Sequence, residues 1–384
     1  MSEVNELDAA DKVLFRDTLK KFLNKEVAPY YQEWEKAEIY PRELWHKIGE
    51  NGFLAIDVPE EYGGYGAPYE LSCLILEEIS RAGFSSLATN LTVHSDICAP
   101  YISHLGTEAQ KQYWLPKLVS GESVAAIAMT EPGAGSDLQG IRTSAIKDGD
   151  DYLISGQKTF ITNGQHCDLV ILAAKTDAKA GGKGISLFTL DCALDGFARG
   201  RNLEKIGMHC ADTSELFFEG IRVSKNDVLG GEGQGFANLM NELPRERLAL
   251  GVGAVGAAEG VLAKCIEYVT ERKAFGQTIG QFQNTRFKLA ELKTQIELNK
   301  ALVEKYISQY EKGELSAVEA SMIKLSATEM QGVVADECLQ LYGGYGYMQE
   351  YDISRAYVDA RIQRIYGGTS EIMKEIIARE LLGR

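Results

Sequence analysis

Residues 151–163, DYLISGQKTFITN, alternate apolar and polar side chains along most of their length. A period of two is typical of a β-strand that buries one face. Three further short runs, rich in apolar and β-branched residues and bounded by Gly, Asp or Asn, follow at 168–175, 184–192 and 214–223. Several short strands separated by turn residues predict a compact β domain, either a small sandwich or a barrel.

The segments on both sides of this β region have helical periodicity instead. On the N-terminal side, helices are predicted over 8–27, 41–52, 69–83, 86–104 and 107–119. After the Gly-rich stretch GGEGQG (230–235), long helices are predicted over 245–272, 282–312 and 315–342, with a terminal helix from about 369. We therefore predict an α+β protein with three parts: an N-terminal α-helical domain (1–122), a central β domain (123–232) and a C-terminal antiparallel helical bundle (233–384).

The composition is typical of a globular protein and unlike that of a nucleic-acid-binding one. Of 384 residues, 45% are hydrophobic and 25% charged, the net charge is −15, and the pI is about 5.0. Because phosphate contacts normally require a basic surplus, we expect no nucleic-acid partner. An acidic total still permits an anionic small ligand where basic groups gather locally.

Cysteine and histidine usage argues against disulfides and against a bound metal. The seven cysteines are scattered without a CxxC pair, and the five histidines form no HxxH-type cluster. This pattern suits free thiols in a reducing compartment. The start lacks a basic head followed by an apolar run, and no stretch of about 18 uninterrupted apolar residues occurs, so we expect neither a secretory signal nor a membrane span. We expect a cytoplasmic bacterial protein, although a processed mitochondrial matrix chain would look the same.

Two segments of the β region are candidate ligand-binding elements. In IAMTEPGAGSD (127–137) the glycines permit close backbone approach to a ligand, and Thr130 and Ser136 supply hydroxyls. The segment is not a GxGxxG loop in a βαβ unit, so no Rossmann site is implied. In KTFITNG (158–164), Phe160 and Thr162 share one strand face and could stack on and hydrogen-bond a flat heterocycle. Each segment is also compatible with a purely structural role.

Three segments of the C-terminal third are also candidates. ERKAFGQTIGQFQ (271–283) places Arg272 at a helix end, where it would bind an anion or the last carbonyls of its own helix. The paired glycines of LQLYGGYGY (339–347) indicate close approach to the backbone. In IYGGTSEIM (365–373), two glycines precede Thr369, a candidate N-cap. A helix N-terminus of this kind suits a carbonyl oxygen or a phosphate.

Together and in this order, these segments resemble the acyl-CoA dehydrogenase family. The resemblance covers nearly the whole chain, and its most specific pieces are TEPGAGSD, the ITNG strand, RKAFGQ, LQLYGGYGY and RIYGGTSEIM. Members of this family have an α, β, α domain order, act in fatty acid metabolism, bind FAD and usually form homotetramers. The resemblance implies an enzyme that converts an acyl-CoA to a trans-2-enoyl-CoA and passes the electrons to an electron-transfer flavoprotein.

The resemblance also assigns residues to the FAD site. The first flavin-contacting stretch supplies Ile127, Met129, Thr130, Gly135 and Ser136. The strand against the flavin ring supplies Phe160, Ile161 and Thr162, and many members have Trp in place of Phe160. Contacts with the FAD of a neighbouring subunit fall on Arg272, Phe275, Gln283, Gln340, Gly343 and Gly344. The phosphate and adenine side falls on Thr369 and Glu371.

The expected catalytic base departs from the commonest family pattern. Many members carry a glutamate directly after the Tyr of the IYxGT motif, where this chain has Gly367. A smaller branch, which includes the long-chain and isovaleryl-CoA dehydrogenases, carries its base on the first helix of the C-terminal domain, and Glu246 matches that position. Without the resemblance, Glu246 would be explained as an acidic residue favoured by the dipole in a first helical turn. Positions 246 and 367 must converge in space if either can serve.

The substrate is expected to contact residues beside the base and the thioester oxygen: Ser136, Pro244, Arg245, Arg247, Tyr366, Gly367 and Gly368. The helix at 86–97 is expected to line the distal acyl pocket. There, the small side chains of Ala88 and Thr92 favour a long or branched chain, although both could be ordinary packing residues. Two alternatives stay open: an acyl-CoA oxidase-like flavoprotein, and a non-catalytic binding protein that kept the fold.

Overall fold

The structure is a computed structural model that describes residues 9–383. Its N-terminal region is helical, with α-helices at Ala9–Phe22 (α1), Tyr31–Ala37 (α2), Glu43–Glu50 (α3), Tyr69–Arg81 (α4), Ser85–Leu91 (α5), Ala99–Leu105 (α6) and Glu108–Ser120 (α7). Two π-helical segments interrupt this regular pattern, Leu23–Val27 after α1 and Thr92–Cys98 between α5 and α6. The sequence correctly predicted helix over 86–104, but its period could not show that the middle is wound as a π-helix, a feature that is frequent at functional sites.

The central region is a hydrogen-bonded sheet. Its strands are Ala125–Ala128 (β1), Ser144–Asp148 (β2), Asp151–Thr162 (β3), Leu169–Lys175 (β4), Ile185–Asp191 (β5), Phe197–Asn202 (β6), Thr213–Val223 (β7) and Val228–Leu229 (β8). The order across the sheet is β6-β7-β3-β2-β4-β5-β8, and β1 pairs in parallel with β4. The four strands expected from alternation are all present. Four strands were missed: β1 is a short, wholly apolar run, β6 is largely polar, and β2 and β8 are only five and two residues long.

Successive side chains of β4 point to opposite faces of the sheet and pack into two different core clusters. Leu169 and Ile171 belong to a core cluster shared with the N-terminal helices, including Tyr101 and Leu115. Val170, Leu172 and Ala174, on the other face of β4, pack inside the β region. Since successive strand residues point to opposite faces, this strand is buried on both sides.

The C-terminal region is a helical bundle. Its α-helices are Gly235–Glu271 (α8), Gln283–Glu311 (α9), Ala317–Tyr342 (α10), Asp352–Ala360 (α11) and Ser370–Leu381 (α12). The α8–α9 connection contains a two-stranded hairpin, Lys273–Ala274 (β9) and Gln277–Thr278 (β10). Short 3₁₀ segments occur at Glu60–Tyr62, Leu138–Gly140, Gly181–Gly184, Lys225–Asp227, Ile279–Gln281, Gly343–Tyr347 and Arg361–Arg364.

Helix α8 packs unusually close to α4. A Cβ atom at Gly256 would lie 2.6 Å from the carbonyl oxygen of Glu77, and one at Gly260 would lie 2.0 Å from that of Arg81. These glycines therefore let the two backbones touch. By length and composition α8 could cross a membrane, but 67% of its apolar stretch is buried inside the protein, which is the arrangement of a core helix.

The start of α8 corrects one sequence-based expectation. The helix begins at Gly235, ten residues before the predicted start at 245, and it runs through Pro244. Glu246 therefore lies about three turns into the helix rather than in its first turn. The helix dipole acts mainly on the terminal turns, so the dipole explanation for an acidic residue at this position is wrong.

Candidate active site

Glu246 is a buried carboxyl that has a single hydrogen-bonding side-chain partner among residues 9–383. Its residue is only 4% exposed, and the Tyr101 hydroxyl on α6 donates a 2.9 Å hydrogen bond to its Oε1. Burial raises the pKa of Glu246 to about 7, even though the Tyr101 hydrogen bond and the Arg247 charge lower it. A carboxyl that titrates near neutral pH suits a general base.

The Gly367–Gly368 turn lies against the same part of α8. A Cβ atom at Gly367 would lie 2.4 Å from Cδ1 of Leu250, one turn after Glu246, and one at Gly368 would lie 3.8 Å from Nη2 of Arg247. The expected convergence of positions 246 and 367 is therefore present. Both glycines have positive φ, at 62° and 98°.

The N–H groups of this turn are available to a ligand. Within residues 9–383, neither the Gly367 nor the Gly368 N–H donates a hydrogen bond. The Thr369 hydroxyl accepts from the Ile372 N–H at 3.3 Å, which confirms the predicted N-cap of α12. Free backbone donors beside a helix N-terminus favour an oxygen that carries negative charge.

Arg245 has a different environment from the one expected of a substrate-binding residue. It is 4% exposed, and its three nitrogen atoms donate to the Asp96 carbonyl (3.0 Å), the Tyr310 hydroxyl (3.1 Å) and the Asp57 carboxylate (2.6 Å). Its guanidinium also lies over the Tyr69 ring, 4.3 Å from the centroid. Arg245 therefore anchors α8, which its sequence position beside Glu246 could not reveal, and its contact with substrate stays a prediction.

The two candidate segments of the β region are joined by a buried ion pair. Lys158 Nζ lies 2.9 Å from both Glu131 Oε1 and the Met129 carbonyl oxygen. The Thr159 N–H also donates to the Thr130 carbonyl at 2.9 Å. The TEPGAGSD loop and the KTFITNG strand therefore form one surface.

A third group of candidate residues meets at the far end of α8. Arg272 is the C-cap of α8, and it lines a surface cavity of about 550 Å³ together with Gln340, Gly343 and Gly344. Phe275, which is 95% exposed, and the exposed Gln283 lie nearby in sequence. Since 26 residues of α-helix separate Glu246 from Arg272, the two ends lie about 39 Å apart. The third group therefore cannot complete the Glu246 site of its own chain.

A small cavity of about 10 Å³ lies where the distal acyl pocket was expected. Ala88 and Thr92 both line it, and the rest of its wall comes from α4, the π-helical segment and the residues after α3: Phe53, Ala55, Ile56, Ser72, Ile75, Leu76, Ile79, Leu91, Ser95 and Asp96. Asp96 contacts Arg245, so the cavity is adjacent to the part of α8 that carries Glu246.

Comparison with known proteins agrees with these observations. Models of the acyl-CoA dehydrogenase N-terminal, middle and C-terminal domains match residues 9–122, 126–221 and 233–382. The chain belongs to the acyl-CoA dehydrogenase family. The predicted resemblance and the predicted order of α, β and α regions are both confirmed.

Among curated relatives of this acyl-CoA dehydrogenase is the mitochondrial long-chain specific acyl-CoA dehydrogenase of Sus scrofa. It is 46% identical over 381 residues, which cover 99% of this chain and 88% of the relative. The mitochondrial isovaleryl-CoA dehydrogenase of Arabidopsis thaliana is 37% identical over 369 residues, covering 96% and 90%. Both names belong to the branch that the sequence resembled.

Solved structures have the same fold. The crystal structure of an acyl-CoA dehydrogenase from Geobacillus kaustophilus is 49% identical and has a TM-score of 0.95, with 98% of this chain and 99% of that chain covered. A glutaryl-CoA dehydrogenase from Mycobacterium smegmatis in complex with FADH₂ is 28% identical, with a TM-score of 0.92 and coverage of 98% and 96%. The present chain is an FAD-dependent oxidoreductase of this family.

The residues of the β region fit a flavin. Phe160 is 69% exposed and has a φ of 59°, a strained conformation for a bulky residue. In the TEPGAGSD loop, no atom of the described residues lies within 4 Å of a Cβ atom built at Gly133 or Gly135. An exposed, strained aromatic beside an open glycine loop provides a surface for a flat ligand.

The remaining predicted contacts differ in exposure. Ile161 is 2% exposed in the β-region core, so any flavin contact of this residue involves its backbone. Ser136 and Glu371 are exposed to solvent. The hydroxyl of Tyr366 is buried, and this burial raises its pKa. The half-buried positions are Ile127, Met129, Thr130, Thr162, Pro244 and Thr369.

Several supporting residues were missed from the sequence. Tyr101 holds the base, and Glu131 and Lys158 join the two β segments. Asn163, with a φ of 65°, donates to the Ala125 and Asn90 carbonyls and thereby fixes the end of β3. Glu131 and Lys158 lie in the two candidate segments of the β region, so an ion pair between them could have been predicted. No sequence motif indicated that Tyr101 contacts Glu246.

Proposed function

We propose that this acyl-CoA dehydrogenase oxidises long-chain or branched acyl-CoA thioesters to trans-2-enoyl-CoA, with Glu246 as the base that removes the α-proton. The observation that carries the proposal is the buried carboxyl of Glu246 beside the free N–H groups of Gly367 and Gly368. Because Gly367 has no side chain, no second carboxylate is available at the other family position.

The proposed mechanism assigns a separate task to each group. A thioester α-proton becomes more acidic when the carbonyl oxygen accepts hydrogen bonds, which the N–H groups of the glycine turn can donate. Glu246 accepts this proton in its ionised form. When bound, FAD supplies the hydride acceptor for the β carbon. Tyr101 stabilises the ionised carboxylate before the transfer and holds its orientation.

The residues around Ala88 and one curated relative support a long or branched acyl chain. Leu76, Ala88 and Leu91 offer apolar surface to a hydrocarbon tail, but the cavity there is only about 10 Å³, so a bound tail has to widen it. The 46% identity to a long-chain specific relative points the same way.

We further propose a homotetramer that supplies electrons to an electron-transfer flavoprotein. The exposed Arg272 group, too far from Glu246 to serve its own chain, supports a cofactor site shared between subunits. Family membership supports the acceptor. A cytoplasmic location is proposed from the seven cysteines, all of them free thiols in the structure.

The test is anaerobic flavin bleaching with acyl-CoAs from C4 to C16, including branched chains. We expect bleaching with the longer and branched substrates and slow reoxidation of the reduced enzyme by air. A sharp optimum at C4 would overturn the proposed substrate class. Fast reoxidation by air would favour the oxidase alternative, and protein that cannot be loaded with FAD would favour the non-catalytic one.

A further inference from the structure

Two buried cations lie on the glycine turn. Lys324 of α10 has no exposed surface, and its Nζ donates a 2.6 Å hydrogen bond to the Gly368 carbonyl oxygen. Arg247 is 5% exposed, donates to the Ser321 hydroxyl at 3.2 Å, and has no partner for its Nε within residues 9–383. Neither cation forms an ion pair with a carboxylate in this part of the chain.

Such an arrangement is unfavourable for stability alone. A buried cation without an anionic partner loses hydration that a single hydrogen bond to a neutral group only partly replaces. Burial, and next the charge of Arg247, lower the pKa of Lys324 to about 8. The two charges therefore repel each other across the turn, so stability alone does not account for their position.

Helix α10 holds the turn at two points. Besides the Lys324 contact, Glu329 accepts a 2.7 Å hydrogen bond from the Ser370 hydroxyl and a 3.2 Å one from Arg364. The turn between these contacts contains two glycines at positive φ, which have more conformational freedom than other residues. An anchor on the Gly368 carbonyl restricts that freedom where the N–H groups are unpaired.

We propose that Lys324 is a positioning residue for α-proton removal: by binding the Gly368 carbonyl it holds the free N–H groups of the turn in place for the thioester oxygen. Together with Arg247, it also contributes positive potential where negative charge develops on that oxygen. This inference rests on the proposed function, because it concerns the same reaction.

The first test compares turnover of Lys324→Met with wild type in the FAD-loaded enzyme. We expect kcat to fall on the order of 10- to 100-fold, the range for losing a hydrogen bond to a charged group, with a smaller change in KM. Lys324→Arg keeps a charged donor and should recover most of the loss. Lys288→Met, which breaks a half-buried 2.8 Å ion pair between α9 and Glu337 of α10, is the matched control and should match wild type.

The second test reads the hydrogen bond on the substrate directly. Infrared difference spectra of a bound 2-enoyl-CoA with a ¹³C-labelled thioester carbonyl should show a downshifted C=O stretch in wild type and a smaller downshift in Lys324→Met. If Lys324→Met does not fold, Lys324→Gln should give an intermediate downshift.

Either of two results would overturn the inference: wild-type kcat in Lys324→Met, or a lowered melting temperature with an unchanged carbonyl stretch. Failure of the proposed function gives a different result from failure of this inference. In that case Glu246→Gln would remain active, or acyl-CoAs would not bleach the flavin of the wild-type enzyme.

Discussion

The two ends of α8 are built for opposite environments. Around Glu246 the helix is enclosed by α6, α10 and the glycine turn, and its charged residues at 245, 246 and 247 are all at most 5% exposed. At Arg272 the helix ends in a hairpin whose Phe275 is 95% exposed and strained at a φ of 51°. One helix thus joins a buried cluster, in which the proposed base is held by residues of its own chain, to an exposed end that suits contact with another molecule.

The largest expected effect tests the buried end. Glu246→Gln keeps the size of the side chain but removes the base, so kcat should fall by about 10²- to 10⁴-fold while FAD stays bound. Stopped-flow flavin bleaching measures the rate, and the flavin absorbance of the purified protein measures cofactor content. Glu242→Gln, one turn earlier, is the control and should stay within about threefold of wild type. Near-normal turnover of Glu246→Gln would reject the assignment.

A second experiment moves the carboxyl to the glycine turn. Gly367→Glu added to Glu246→Gln should restore some turnover, but weakly, because the position has a φ of 62° and its Cβ would lie 2.4 Å from Leu250 Cδ1. Adding Leu250→Ala should raise the recovered rate about tenfold further by removing that contact. Glu246→Gln with Leu250→Ala alone should stay inactive. Equal rates with and without Leu250→Ala would show that steric conflict does not limit the rescue.

The exposed C-terminal end of α8 is tested by measuring oligomeric state and FAD content rather than the reaction rate. Phe275→Asp should leave the fold intact and weaken both oligomerisation and FAD retention, about tenfold or more, since a charge would replace the apolar ring at the expected subunit contact. Sedimentation velocity and flavin content measure the two effects. Ile146→Asp on β2, another exposed apolar position, is the control. An unchanged oligomer with full FAD would contradict a role for Phe275 in a shared site.

The smallest expected effect is a shift in pH dependence. The Tyr101 hydrogen bond favours the ionised carboxylate, so Tyr101→Phe should raise the pKa of Glu246 above its value of about 7. The base works deprotonated, so the ascending limb of kcat/KM should move to higher pH, with a severalfold loss at pH 7 and little loss at pH 9. Tyr62→Phe, which removes a hydroxyl bonded to Glu108 instead, should leave the profile unchanged. A limb that does not move would mean that Tyr101 is unimportant for ionisation of the base.

Sequence periodicity predicted the helices and the longer strands well but failed at their ends. Residues 151–163 and 369 onward matched closely because alternation and an N-cap are local signals. The start of α8 was missed because the predicted helix began at 245, directly after Pro244, although a proline inside a helix is tolerated where packing compensates. Among the site residues, the glycine turn was identifiable from its motif, whereas the structural role of Arg245 was not.

From the sequence alone follow the α, β, α order, the family and the substitution of glycine for glutamate at position 367, because each depends on residues that are neighbours along the chain. Only the tertiary structure decided that burial outweighs the Arg247 charge at Glu246, that Tyr101 is its partner across 145 residues, and that Lys324 binds Gly368 across 44. The physical reason is that a pKa and a hydrogen bond depend on which groups surround an atom in space, and those groups come from α6, α8 and α10.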